Sequence, residues 1–401
     1  MTAEQNMLLA SAAKSLTGRP LPRPIPQPDW QKLAREIRLQ AMPLVVLDGL
    51  KGQRILTEAA GERLVHLGVS ATGNNMRIGY DQQLLVKLLK EHQISYVILK
   101  GEASAAYYPD PSLRALGDVD FLVDPRDMEK VSRILQQAGF QRSHENHICH
   151  QVFTLGKSAL EMHFSVPGVP NGKPGEQIRD YLSNLLSQAV MVSGENGSFC
   201  APAPYHHGLI LLMHMQHHML GEGIGLRHLC DWGCFVEKTW KESFWQERLL
   251  PLLQQVGLLT YAGAMTATAE LAFGTACPQW AQKGRPLAKE ILADILSGGN
   301  FGRKDPDRAA SGVMISNRGK DGTRHGKLYY LYKALREAVR EQHPKANRYP
   351  VLLPFYMLYR TCRYLLRTMR GERPGLRKMA AAATERKSLY ARLHIYEGKE
   401  L

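Results

Sequence analysis

From Trp30 to Leu50 apolar residues recur at helical spacing, Leu33, Ile37, Ala41, Leu44 and Leu47 among them, and a second helical stretch comes around Glu58 to Leu67. Asp81 has the character of a helix N-cap before "QQLLVKLLKEH", whose Leu84, Leu85, Leu88 and Leu89 make one stripe for burial. That helix should stop near Gln93, because "ISYVILK" is dense in β-branched and aromatic residues and has the length of a strand. "VDFLV" predicts a second strand, and Asp127 opens a helix through Leu135 that Gly139 closes. "HICHQVFTL" and "ALEMHFSV", parted by Gly156-Lys157-Ser158, predict a β-hairpin. Beyond Pro204 the period is helical: "HHGLILLMHMQHHML", "LRHLCDWGCFVEK", "FWQERLLPLLQQVG" and "YAGAMTATAELAFG" succeed one another with Gly or Pro breaks.

The flanks differ in character. Pro20, Pro22, Pro24, Pro26 and Pro28 alternate in "GRPLPRPIPQPDW", which forbids helix and ladder pairing and suggests a linker or wrapping arm. Residues 297 to 325 are rich in turn formers and poor in apolar side chains, so a mobile loop is expected there. The chain therefore divides into a Pro-rich arm (1–28), a helical N-terminal region (29–80), an α/β core (81–200), a helical domain (201–300) and a basic loop and helical tail (301–401). No internal repeat is found.

Length and apolar content are those of a globular chain with two or three domains rather than a disordered one. Without a spanning apolar run or a secretion signal, the expected location is the cytoplasm. Six cysteines without a C-x-x-C pair argue against a zinc ribbon or a disulfide framework. The net charge of +14 is unevenly placed: residues 1–300 hold 28 basic against 28 acidic residues, and residues 301–401 hold 23 against 9. A basic tail on a neutral body suggests an anionic contact: lipid headgroups, nucleic acid or an acidic partner.

Chemistry concentrates at "GDVDFLV". Alternate strand residues share a face, so Asp118 and Asp120 project together while Val119, Phe121 and Val123 enter the core. In the second hairpin strand the same alternation sets Glu161 and His163 opposite Leu160, Met162 and Phe164. Two aspartates at i, i+2 with a third acid on a neighbouring strand suit hard divalent cations and polyphosphate oxygens. A pair of such ions can activate an attacking oxygen and stabilise a leaving pyrophosphate.

With Lys100-Gly101 after an apolar strand, Pro109, Arg114, Gly117-Asp118-Val119-Asp120 and Glu161-Met162-His163, the chain resembles nucleotidyltransferases of the DNA polymerase β superfamily, and more closely the NTP_transf_5 branch. Asn74-Asn75, His214, His218, "LRHLCDW" with Asp231, and "GGNFG" extend the resemblance over roughly residues 30 to 302. It implies an α/β (α+β) fold: a polymerase-β-like nucleotidyltransferase core with a mixed sheet, flanked by N- and C-terminal helical regions. It also implies metal-dependent transfer of a nucleoside monophosphate from an NTP, ATP first among them, to the hydroxyl of an acceptor that the residues do not identify. Asp118, Asp120 and Glu161 would be catalytic and hold magnesium, or manganese in its place, with Glu161 drawing the acceptor's proton. Lys100, Gly101, Ser104, Arg114 and His163 would bind the nucleotide. The loop departs from the superfamily's usual Gly-Ser: Glu102 follows Gly101, a carboxylate that would repel phosphate unless turned away, and Ser104 is left to take the serine's part. The third acid is Glu where Asp is usual. The alternative is an inactive scaffold or binding protein of the same fold whose basic tail meets a membrane surface or nucleic acid.

Other motifs carry weaker signals. His214, His217 and His218 share a helical side, a pattern of a zinc site or, more often, of histidines lining a cleft. In "HENHICHQ" an extended chain turns His144 and His150 one way and His147 the other, so the three would not converge. Arg227 and Asp231, four apart on a helix, read as an ion pair, and "GGNFGR" as a hinge or a phosphate-binding turn. In the tail, Arg360, Arg363, Arg367 and Arg370 run opposite Phe355, Leu358, Cys362, Leu365, Leu366 and Met369. Such a helix either packs its apolar side on the body or lies on an anionic surface as a peripheral membrane element. Arg373, Arg377, Lys378, Arg386 and Lys387 tilt the balance to an anionic partner, membrane or nucleic acid, for residues 301–401.

Overall fold

The structure, a computed structural model, describes residues 1–23, 28–53, 59–143, 150–170, 172–305, 349–370 and 388–395, together with 308, 332, 335, 336, 339, 346 and 386. Its sheet is mixed. Strand β1 (Tyr96–Ile98) lies antiparallel to β2 (Val119–Val123), and β2 lies parallel to β5 (Ser158–His163). Antiparallel to β5 is β4 (His150–Leu155), with β3 (Gln141–Arg142) outside it, so the order is β1-β2-β5-β4-β3. The parallel step from β2 to β5 needs a crossover, which α6 (Met128–Gln137) supplies; Asp127 is its N-cap and Gly139 comes after it at φ 94°. The hairpin turns at Gly156, φ 60°, as the Gly-Lys-Ser break predicts.

One face of this sheet is apolar because the alternation holds: Phe121, Phe153, Leu160 and Met162 are fully buried with Leu135 of α6 and with Leu85 and Leu89 of α4 (Ala59–Glu91). Each such side chain contributes about 1.5–3 kcal/mol when removed from water. Helix α4 is unbroken over 33 residues, a correction to the expected cap at Asp81 and to a boundary between 80 and 81. Asp81 sits mid-helix and buried, 3.3 Å from Arg77 one turn before it, so its charge is met by a side chain instead of by free backbone N–H groups. The glycines that look like breaks mark close approaches: a Cβ at Gly68 would stand 2.7 Å from the Leu47 side chain, and one at Gly79 would stand 1.9 Å from Asn196.

The N-terminal residues also depart from the expected arm. α1 (Ala3–Thr17) opens with a reciprocal cap between Thr2 and Gln5 and buries Met7, Leu8 and Ala12. α2 (Trp30–Gln40) and α3 (Pro43–Leu50) come next, as the spacing predicts. A one-turn helix, α5 (Glu102–Ala105), stands between β1 and β2. After β5 come α7 (Lys173–Tyr181) and a second hairpin, β6 (Val190–Gly194) with β7 (Gly197–Ala201), which the sequence reading missed.

Helices α8 (Pro204–Leu220), α9 (Leu226–Thr239), α10 (Leu250–Gln255), α11 (Leu259–Phe273) and α12 (Arg285–Gly298) build the helical body around Trp232, Phe235, Trp245, Tyr261 and Phe273. Asp294 on α12 forms an ion pair with Arg308, accepts the Tyr390 hydroxyl at 3.1 Å and lies 3.7 Å from Arg386. Leu389, Tyr390 and Leu393 thereby return to the body's core. Of the loop expected over 297–325, Asn300–Gly302 form a short turn, and most positions beyond Asp305 lie outside the described residues, as do His144 and His147. Helix α13 (Leu353–Met369) is the tail helix, and none of its described side chains is buried. No single helix among the described residues is long and apolar enough to cross a membrane.

Candidate active site

Register brings the acids together. Across the parallel β2/β5 pair Asp120 stands opposite Glu161, and across β5/β4 His163 stands opposite His150, so all four side chains share the sheet face away from Phe121 and Met162. Asp118 lies just before the first residue of β2 rather than within it. The Asp120 carboxylate is buried, with Lys100 Nζ and His163 Nε2 each 2.9 Å from Oδ1, and His163 Nε2 is 3.6 Å from Glu161. Burial opposes the Asp120 charge, yet Lys100 and His163 outweigh it and hold the carboxyl below its ordinary range. Asp118 behaves in the opposite way: burial first, then repulsion from Asp120 and Glu161, push it up to about 6 against the pull of Lys100 and Arg227. Burial works against a charge on His163, but its hydrogen bonds to Asp120 and Glu161 raise its pKa.

Gly101 makes the turn after Lys100. Its φ of 62° with ψ of −122° is a conformation that only glycine adopts readily, and a Cβ added there would stand 3.8 Å from the Asp118 carbonyl oxygen. Glu102 points its carboxylate at Gln82 Nε2 (2.9 Å) and Asn196 Nδ2 (2.8 Å), so its charge is directed at α4 and the β6–β7 hairpin. Burial raises its pKa, and the two amides oppose that rise. A cavity of about 310 Å³ shares Gln82 and Asn196 with this contact and is lined by none of the acids of the trio.

Two of the expected nucleotide ligands are held elsewhere. Ser104 is fully buried with its Oγ 3.3 Å from His207 Nε2, because the one-turn helix α5 carries it inward. Arg114 donates to both oxygens of Asp231, Nε and Nη2 at 2.8 Å each, and Tyr108 donates to the same carboxylate at 2.7 Å. The Arg227–Asp231 pair read from spacing is thus replaced by Arg114–Asp231. Asn74 and Asn75 clamp the loop: Asn74 donates to the Leu116 carbonyl at 2.7 Å, and Asn75 donates to the Arg114 carbonyl and accepts from the Leu116 N–H, both at 2.8 Å. That clamp fixes where Asp118 emerges.

Arg227 and His150 are the residues that sequence reasoning missed. Arg227 Nη1 reaches the Ala115 carbonyl at 3.4 Å, and its buried Nε has no hydrogen-bond partner among the described residues. Burial and Arg114 lower its pKa while Asp118 supports its charge. Beside it His214, His218, His228 and Phe301 pack ring on ring, with centroids 4.5 to 5.8 Å apart. Burial keeps all three imidazoles neutral, and the Lys100 charge adds to the effect. They line a cleft. Among the described residues the group of His, Cys, Asp and Glu whose donor atoms converge is His150, Glu161 and His163, all within 4.8 Å of one another, so a zinc site on His214, His217 and His218 is not formed.

A carboxylate trio flanked by a lysine and an arginine is suited to gather cations and phosphate oxygens. Comparison with the curated proteins finds no match. Among solved structures the chain is similar to an antigenic nucleotidyltransferase-like protein from Paracoccidioides brasiliensis, with 15% identity over 47% of this chain and 90% of that one at a TM-score of 0.28. The model of the NTP_transf_5 family, described as uncharacterised nucleotidyltransferase, matches residues 26–274, ending short of the "GGNFG" turn. The chain belongs to this nucleotidyltransferase family, and its mixed five-stranded sheet is the nucleotidyltransferase core that the motif at Asp118 and Asp120 implied.

Proposed function

We propose that this protein transfers a nucleoside monophosphate from an NTP, with ATP as the first candidate, to an acceptor hydroxyl. The observation that carries the reading is the β2/β5 register that sets Asp120 opposite Glu161 beside the Gly101 turn, with Asp118 immediately before β2 and near enough to feel both charges. An acid pushed up by burial and then by neighbouring acids is one that a cation would stabilise, so the trio fits a divalent metal. Asp118, Asp120 and Glu161 would hold magnesium or manganese, with His163 and His150 as nitrogen donors at the edge. The cation supplies charge neutralisation along the triphosphate and at the leaving group.

The chain's own groups do the rest. Lys100 and Arg227 offer positive charge to phosphate oxygens, and the Gly101 backbone allows close approach. Glu161 takes the proton of the acceptor hydroxyl; the acceptor oxygen bonds to the α-phosphorus as the bond to the bridging oxygen breaks, and pyrophosphate leaves. Glu102, which would repel phosphate unless turned away, accepts from Gln82 and Asn196 instead, which supports the reading. Incubation with α-labelled NTPs, magnesium or manganese and a cell extract tests the reading. Label should pass to an acceptor and should fall by at least roughly a hundredfold in Glu161→Gln, as expected for loss of a general base. Equal labelling by the folded Glu161→Gln variant refutes the assignment.

A further inference from the structure

A 17-residue helix without a single buried described side chain needs an explanation. In proteins most helical stability comes from packing an apolar face and not from intrinsic propensity. On α13 that face is open: Phe355 is 67%, Leu358 64% and Leu366 54% exposed. At about 100° per residue these three fall with Cys362 on one arc, next to an arc of equal width that holds Arg360, Arg363 and Arg370. No Asp or Glu occurs between Val351 and Gly371. Tyr356, Tyr359 and Tyr364 supply side chains with an apolar body and a polar tip. Packing of the apolar side on the body, one of the two arrangements the sequence allows, is not what the described residues adopt.

We infer that α13 lies in the plane of an anionic lipid surface, its Phe355–Leu358–Leu366 stripe among the acyl chains and its arginines at the headgroups. Charge complementarity selects this occupant. A second copy of the chain would bring like arginine rows together, and nucleic acid would satisfy the arginines yet leave the apolar stripe in water. The helix is too short to span: at about 1.5 Å per residue it reaches some 26 Å, below the ~30 Å hydrocarbon core. A basic face beside an apolar one is instead the pattern of an in-plane helix. This inference stands apart from the transfer chemistry, since it uses no residue of the acid cluster.

Sedimentation of the full chain with vesicles tests it. Vesicles of phosphatidylcholine with 30% phosphatidylserine (roughly the anionic content at which surface potential becomes appreciable) should carry the protein down, pure phosphatidylcholine far less, and salt should weaken the association. Replacing Arg360, Arg363 and Arg370 together by Gln should weaken partition roughly a hundredfold, at about fivefold per charge. Phe355→Ser with Leu358→Ser and Leu366→Ser should abolish it. Both variants should keep the wild-type circular dichroism, because none of the replaced side chains is buried. The inference is overturned if the chain ignores anionic vesicles, if the apolar variant binds them like wild type, or if a labelled RNA binds wild type and apolar variant alike while vesicles bind neither.

Discussion

Replacing Asp231 by alanine should cost this protein a large share of its stability. Arg114 would lose two hydrogen bonds of 2.8 Å and Tyr108 one of 2.7 Å, and all three residues are buried. Stranding a buried guanidinium by removing its partner costs about 3–5 kcal/mol, and an orphaned hydroxyl adds about 1 kcal/mol or more. A folded domain holds only about 5–15 kcal/mol in all. With a urea slope of about 2–3 kcal/mol per molar, the midpoint should fall by roughly 1–3 M. Tryptophan fluorescence is a suitable probe, because Trp232 and Trp245 are buried in the same helical body. Arg114→Met combined with Asp231→Leu should lose much less than the two single changes together, since no charge is left without a partner. Arg114→Met alone should then behave mainly as a stability variant and not as a simple loss of phosphate affinity. A midpoint shift below roughly 0.3 M for Asp231→Ala would refute the claim that this pair locks the Asp118 loop to the body.

The raised pKa of Asp118 gives a pH test. Folded Asp118 titrates at about 6 against an ordinary value of 3.8. Between those values folded Asp118 binds more proton than unfolded Asp118, so its own contribution to stability should fall as pH rises from about 4 to 6, against the rise contributed by the buried neutral histidines. The melting temperature of wild type relative to Asp118→Asn should therefore fall from about pH 4 to pH 6, and added manganese should raise the wild-type melting temperature more at pH 7 than at pH 5. A difference between wild type and Asp118→Asn that stays flat over the same window in the absence of metal contradicts the assignment. His150→Ala should weaken cobalt binding, read from its visible absorption, by at least roughly tenfold while leaving magnesium binding unchanged, because imidazole is a ligand for transition ions. An unchanged cobalt spectrum would exclude His150 from the donor set.

Period-2 alternation made the sheet readable, because Phe121, Phe153, Leu160 and Met162 had to be buried together and that necessity turned Asp120, Glu161 and His163 to the other side. Long-range pairing was not readable. Arg114 and Asp231 are separated by most of the sheet and the first body helix, and the local i, i+4 rule offered Arg227 as the nearer partner. Glu102 was rescued by Gln82 and Asn196, neither of which carries a motif. His150 was considered only within its own histidine-rich stretch, where register with His163 is invisible. Asp81 failed because a cap residue and a mid-helix ion-pair residue look alike until the helix length is known.

Arg386 donates to the Arg308 carbonyl at 3.5 Å, and both side chains meet Asp294. The polypeptide consequently departs from α12 and rejoins it at one spot, like a bight of rope made fast to a single cleat. Helix α13 lies in sequence between these two anchoring arginines. Lengthening such a bight is cheap, about 0.6 kcal/mol for each doubling. Addressing the protein to a new place by rewriting α13 need therefore not disturb the sheet that carries Asp120 and Glu161, and a single proteolytic nick between Arg308 and Arg386 should leave the two fragments travelling together.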